Sequence, residues 1–318
     1  MRSSNLIQEW KQNSRAGASA VAKTCCLLLL RNRPLPSVHA MSTAATPSAL
    51  PDFQPVAGLL ASLDLLQVSQ AGAVLHVRLN RPTKRNAIND SLIAQIHTVF
   101  VNLPADVRAV ILSGAGEHFC AGLDLSELVE RNTLAAVQHS RGWHAAFEAI
   151  QYGKVPVIAV LHGAVVGGGL EIAASCHIRV AEDSAYFGLP EGQRGIFVGG
   201  GASVRVPRLI GTSRMMDMML TGRVFDADQG ERYGAVNYRS ADGEGFAKAV
   251  TIAQKITGNA PMTAFAVMHA LPRIAEMSPG EGLFAESLMA SVASNTPEAQ
   301  DRLRAFLEGR AGKVVKEG

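Results

Sequence analysis

Between Leu75 and roughly residue 240 the chain keeps changing its hydrophobic period, and this alternation limits the possible folds more than any other feature. Leu75, Val77 and Leu79 alternate with His76 and Arg78, the period of a half-buried strand, and Asn80-Arg81-Pro82 ends it. From Asp90 the apolar residues Leu92, Ile93, Ile96, Val99 and Phe100 recur at helical spacing until Pro104. Residues 109–112 (Ala-Val-Ile-Leu) form a short buried strand. A helical face then runs through Trp143, Phe147 and Ile150. Residues 155–161 are a second buried strand, closed by His162-Gly163. The triplet Gly167-Gly168-Gly169 opens a short helix through Ala174, and residues 178–181 are strand again. Strand and helix taking turns in this way predict an α/β fold with adjacent strands. Beyond residue 243 the period is helical only. Phe246, Val250, Ala253 and Ile256 share a face that stops at Gly258, Pro261 suits a helix start, and Thr296-Pro297 opens a last helix before Gly309.

The chain has 318 residues, 47% hydrophobic and 18% charged, with 30 glycines against 14 prolines, enough apolar material for a packed core with many tight turns. Its net charge of +3 is uneven. Residues 1–40 carry six basic residues and one acid, which leaves 24 basic against 26 acidic in the rest. A slightly acidic body argues against a nucleic-acid partner, because phosphate binding needs clustered Lys and Arg. Cys25, Cys26, Cys120 and Cys176 are too few for a disulfide framework and suit a reducing compartment. No apolar run reaches the ~18–20 residues of a membrane span; the longest, residues 24–30, stops at Arg31.

Residues 1–50 are expected to be a disordered extension, with three readings open: a basic transit peptide, a weak secretory signal cut after Val38-His39-Ala40, or upstream sequence preceding a start at Met41. The expected location is the cytoplasm, or the mitochondrion if residues 1–40 are a transit peptide. The expected organisation is therefore an extension (1–50), a core (51–243) and a helical C-terminal region (244–318).

No G-x-G-x-x-G follows a strand, and Walker A, H-E-x-x-H, paired C-x-x-C and G-x-S-x-G patterns are absent, so neither a metal site nor a nucleophile elbow has sequence support. Four features remain. Glu171 sits in an otherwise apolar helix start. Its carboxylate is either salt-bridged to an arginine or held with a raised pKa for proton transfer. Glu191 lies on a Gly- and Pro-rich turn, either as a solvated acid or as a second acid/base group. Gly167-Gly168-Gly169 exposes N–H groups at a helix start, for an oxyanion or for close packing. In Phe119-Cys120-Ala121-Gly122-Leu123-Asp124, Asp124 reads with Glu127 as an N-cap and capping box.

Taken in order, Leu79-Asn80-Arg81-Pro82 with Asn86-Ala87, Phe119 to Asp124, His162-Gly163, Gly167-Gly168-Gly169-Leu170-Glu171, Phe187-Gly188-Leu189-Pro190-Glu191 and Leu220-Thr221-Gly222 resemble the crotonase (enoyl-CoA hydratase/isomerase) superfamily. The resemblance spans residues 75–318. It implies the crotonase (ClpP/crotonase-like) α/β fold of repeated ββα units, two nearly perpendicular sheets, and C-terminal helices that pack a homotrimer, commonly stacked into a homohexamer. It also implies an acyl-CoA substrate whose thioester oxygen is held by the N–H groups of Leu123 and Gly168. CoA would lie along Lys84, Arg85, Ala87, Ala121, Asp124 and Leu125, although Asp124 reads as structural from the residues alone. Metal and redox cofactors are not implied.

Hydratases of this family carry glutamates at both positions held here by Glu171 and Glu191; isomerases often keep only the second. The implied reaction is hydration of a 2-enoyl-CoA to the 3-hydroxyacyl-CoA, with Glu171 as base and Glu191 as acid. A narrower similarity, to methylthioacryloyl-CoA hydratases, implies hydration followed by CoA release. An enoyl-CoA isomerase and a non-catalytic scaffold of the same fold are the remaining readings. Val198 stands where the family usually has proline, and Arg194 lies near the second glutamate, which puts substrate identity in question more than reaction class. Trp143, Phe147 and Leu128 are candidates for the acyl pocket or for plain core.

Overall fold

The computed structural model describes residues 50–127 and 131–310, so the readings made for residues 1–49, for Leu128 and for residues 311–318 fall outside it. Ten strands run in chain order: β1 (Gln54–Pro55), β2 (Leu66–Ala71), β3 (Val74–Leu79), β4 (Ala109–Gly114), β5 (Val157–Leu161), β6 (Ala164–Val166), β7 (Ile178–Glu182), β8 (Tyr186–Gly188), β9 (Phe225–Asp226) and β10 (Tyr238–Ser240). The helices are α1 (Asp90–Val101), α2 (Thr133–Gln151), α3 (Gly168–Ser175), α4 (Ala202–Ile210), α5 (Thr212–Thr221), α6 (Ala227–Tyr233), α7 (Gly245–Thr257), α8 (Pro261–His269), α9 (Leu271–Ile274), α10 (Pro279–Ser294) and α11 (Pro297–Leu307).

Seven strands form one sheet in the order β1-β2-β3-β4-β5-β7-β10. The first three pair antiparallel; from β3 onward every pairing is parallel, with Val74 opposite Ala109, Val110 opposite Val157 and Ile158 opposite Ile178. A second sheet, β6-β8-β9, pairs β6 and β8 parallel and β8 and β9 antiparallel. The apolar runs of β4 and β5 are continuous because both their faces are covered. Val110 and Leu112 of β4, with Val157, Ala159 and Leu161 of β5, face the main core with α1 and α2. The intervening Ala109, Ile111, Ile158 and Val160 face α7 through Ala249, Val250, Ile252 and Ala253. Each such Val, Ile or Leu, fully removed from water, contributes about 1.5–3 kcal/mol.

The expected boundary at residue 244 falls just before α7, which covers one face of the sheet through Ala249, Val250, Ile252 and Ala253. The helices beyond it differ. Gly282 is the one buried residue of α10 and α11 has none, while Leu283, Phe284, Leu288, Val292, Leu303 and Phe306 are exposed in the single chain. Among the described residues no helix is long and apolar enough to cross a membrane.

The capping box expected between Asp124 and Glu127 needs the Glu127 side chain, which lies outside the described ones. Asp124 Oδ1 accepts from the Ser126 N–H (3.1 Å) and hydroxyl (2.8 Å) at the 3-10 turn Leu125–Glu127. The helix proper starts later, at α2, where the Asn132 side chain accepts from Ala135 N–H. The other oxygen of Asp124 accepts from Arg81 (2.9 Å).

Candidate active site

The loops that follow the C-terminal ends of β4 and β5 are sewn together by backbone hydrogen bonds, which is where ligands gather on parallel sheets. Phe119 N–H donates to His162 C=O, Cys120 N–H to Ala164 C=O, and Val166 N–H to Cys120 C=O. Gly122 (φ +96°) completes the approach: a Cβ there would stand 2.8 Å from Val166 O and 3.3 Å from Gly168 N, so only glycine lets the two loops meet. On the other side Ile88 N–H donates to Gly122 C=O and Asp124 N–H to Ile88 C=O. At this junction the N–H groups of Leu123 and Gly168, like that of the following Gly169, donate to no backbone group among the described residues. Gly168 is the first residue of α3, so its N–H lies at the positive end of that helix.

Glu171, in the first turn of α3, is 3% exposed. Its Oε1 accepts from Gly200 N–H (2.8 Å) and Ala202 N–H (3.1 Å). No ion pair to Glu171 is formed among the described residues, so the salt-bridge reading gives way to backbone donors. Gly200 is squeezed against this carboxylate: a Cβ would fall 2.6 Å from Glu171 Oε2 and 2.9 Å from the Phe147 ring. Burial pushes the Glu171 pKa up, and the three backbone N–H groups of residues 200–202, together with nearby Arg205, pull against that rise.

Glu191 lies in the 3-10 turn Pro190–Arg194 that follows β8. Its Oε2 is buried and has no partner among the described residues. Burial raises its pKa most, and the Glu171 carboxylate adds to the rise. Arg194 is exposed and pulls the other way without reversing the direction.

Glu171 and Glu191 line one cavity of about 430 Å³, together with Leu123 and Gly168. Trp143, Ile196, Phe197 and Val198 supply its apolar wall. Two carboxyls with raised pKa values facing two unspent N–H groups can exchange protons with a substrate whose negative charge develops on one oxygen.

The remaining candidate positions are placed as follows. Lys84 and Arg85 are exposed on the turn before α1, with Arg85 and Asn86 in left-handed backbone (φ 50° and 55°). Asn86 is fully buried, and its amide donates to the Ala115 and His118 carbonyls (2.8 Å each), which fixes that turn on the loop after β4. Ala87 N–H donates to Lys84 C=O and Ala87 C=O accepts from Arg81, so both its backbone groups are spent locally. Ala121 N–H is likewise given to Arg85 C=O. Asp124, expected along the CoA path, is 5% exposed and turned inward on Arg81 (2.9 Å); the hydrogen bonds of Ser126, with Arg81 beside them, hold its pKa down at about 2. Leu125 is 63% exposed. Trp143 lines the cavity and also belongs to the core; Phe147 is core, edge-on to Trp143.

Sequence reasoning missed the donors to Glu171. The run Gly199-Gly200-Gly201 was the available signal, since three consecutive glycines mark a close backbone approach. It also missed Ser140, whose hydroxyl donates to Gly199 C=O (2.6 Å), and His139, paired with Asp90 (2.8 Å) beside the cavity.

The family model for enoyl-CoA hydratase/isomerase matches residues 69–314. The chain is 35% identical to the short-chain-enoyl-CoA hydratase of Clostridium acetobutylicum over 246 residues, covering 76% of this chain and 94% of that one. It is 30% identical to the peroxisomal Delta(3,5)-Delta(2,4)-dienoyl-CoA isomerase of Arabidopsis thaliana, over 70% of this chain and 85% of that one. Among solved structures, a candidate enoyl-CoA hydratase from Rhodopseudomonas palustris CGA009 superposes with a TM-score of 0.77 at 54% identity, covering 80% of this chain and 98% of its own.

Proposed function

This chain belongs to the enoyl-CoA hydratase/isomerase family, the crotonase superfamily, and we propose that it adds water across the double bond of a 2-enoyl-CoA with Glu171 as base and Glu191 as acid. The observation that carries this reading is the shared cavity: two carboxyls with raised pKa values opposite the unspent N–H groups of Leu123 and Gly168. The thioester oxygen accepts from those two N–H groups. A water between the carboxyls gives a proton to Glu171 as its oxygen bonds to C3, and the C2–C3 electron pair moves onto the thioester oxygen. The enolate then returns its pair to C2, which takes the proton of Glu191. Glu171 is left protonated and Glu191 ionised, and one proton passing between them through water restores the pair. Either N–H is worth about 3–4 kcal/mol to the enolate. The thioester and the N–H pair supply the activation, so this reading calls for no metal or redox cofactor.

Two carboxyls favour hydration over isomerisation, which needs one. The working location is the cytoplasm, with the mitochondrion as the alternative if residues 1–40 act as a transit peptide. The exposed apolar residues of α10 and α11 support assembly as a homotrimer, or as two stacked trimers, which light scattering will distinguish from a monomer. The test of function is crotonyl-CoA with the purified chain, following the enoyl-thioester absorbance, with a free-thiol reagent in a parallel cuvette. Loss of absorbance without thiol is the expected result. Thiol appearing with it supports the hydrating and CoA-releasing alternative. No change in either removes crotonyl-CoA as a substrate.

A further inference from the structure

A second cavity of about 640 Å³ is lined by Gly201, next to the glycines of the first, and by Arg205 of α4. Its side chain is buried (8% exposed), yet it forms no salt bridge among the described residues. Nε donates to the Gln151 side-chain oxygen of α2 (2.7 Å), and Nη1 donates to the Gly200 carbonyl (3.1 Å). Gly200 N–H, at the other end of the same residue, donates to Glu171. Gly201 (φ +105°) permits this arrangement: a Cβ there would lie 2.2 Å from Arg205 Nη1. The turn is thus clamped, carboxylate on one side and guanidinium on the other.

We propose that Arg205 is a positioning residue for the reaction: gripping the Gly200 carbonyl from behind, it fixes the turn whose N–H groups hold Glu171 in place for the attacking water. This rests on the reading of Glu171 as the base. A carbonyl polarised by a cation strengthens the N–H of the peptide it belongs to, here that of Gly201, which stands between the two N–H groups that hold Glu171. The guanidinium also favours the ionised carboxylate. The other charged or titratable groups in play are Glu191 and Arg194 on the acid's turn, Glu148 of α2 with Tyr152 just after it, and Cys176 after α3; Arg141, His144, Arg208 and Glu276 line the second cavity, and Arg131 and His139 the first.

The test is hydration of crotonyl-CoA by the full chain against pH, for the wild type, Arg205→Gln and Arg205→Lys. Turnover by the wild type establishes the premise; its absence is a failure of the proposed function, not of this inference. Arg205→Gln is expected to lower kcat about 10- to 100-fold with KM nearly unchanged. It also moves the acid limb of the pH profile to higher pH, because removing a cation makes the base easier to protonate. Arg205→Lys, which keeps the charge but not the fork, returns the limb toward its wild-type position. A folded Arg205→Gln with an unmoved limb, or with kcat within about threefold of wild type, overturns the proposal. If Arg205→Gln does not fold, Gln151→Leu loosens the guanidinium more gently. A smaller limb shift in the same direction then supports the proposal, and an unmoved limb overturns it.

Discussion

Glu171 and Glu191 face one cavity from opposite kinds of structure. Glu171 opens a helix in the core, 3% exposed, with its oxygen fixed by backbone N–H groups from a glycine turn. Glu191 sits on a short 3-10 turn whose neighbours, residues 192–197, are exposed, and its buried Oε2 meets no donor among the described residues. Burial raises both pKa values, so burial alone cannot assign the roles. The proposed roles rest on donors: Glu171, which collects N–H groups from a glycine turn, is stabilised ionised as the proposed base must be, while the buried Oε2 of Glu191, without a donor among the described residues, suits the proposed acid.

The sharpest way to break that contrast is Glu171→Gln. The amide oxygen can still accept from Gly200 and Ala202, so the fold should hold, and Tm should stay level or rise once a buried charge is gone. Hydration of crotonyl-CoA is expected to fall by about 10²–10⁴ in kcat; wild-type activity there would end Glu171's role as base. Next in size is Gly168→Ala, which leaves both carboxyls alone. The new Cβ would stand 2.7 Å from the Trp143 ring, and moving the residue 168 N–H is expected to cost about 10²-fold in kcat, read from initial rates.

Asp124 is the control, an acid beside the site with a structural task. Asp124→Ala is expected to cost about 2–3 kcal/mol in urea unfolding. With its carboxyl held at about 2, below the ordinary 3.8, the contribution is complete above the ordinary value and lost as pH falls through about 2. Asp124→Asn should remove that acid-side dependence of stability. The smallest effect belongs to the exposed turn: Lys84→Ala with Arg85→Ala should raise KM for the CoA ester about two- to fivefold without changing kcat, and less so at high salt.

The strands and helices bearing the site were legible because their periods are unambiguous: β4 and β5 are continuous apolar runs, and α1 and α7 repeat at helical spacing. The short strands β6, β8 and β9, of two or three residues each, have no period to read, and only pairing makes them strands. Glu171 and Glu191 stood out as acids in apolar or glycine-rich surroundings. The grip on Glu171 did not, because it is made by backbone N–H groups 29 and 31 residues away, which no side-chain pattern announces. The partners of Asp124 were hidden for a related reason: one is the neighbouring Ser126, but the other is Arg81, 43 residues away in the chain.

The central claim, that the two glutamates work in opposite protonation states, is tested most directly by kcat/KM for crotonyl-CoA against pH, in the wild type and in Glu191→Gln. The account expects a bell for the wild type, its acid limb from protonation of Glu171 and its alkaline limb from ionisation of Glu191, both above the ordinary carboxylate value. The residual activity of Glu191→Gln should keep the acid limb and lose the alkaline one. A wild-type profile without an alkaline limb, or an alkaline limb that survives in Glu191→Gln, would contradict it.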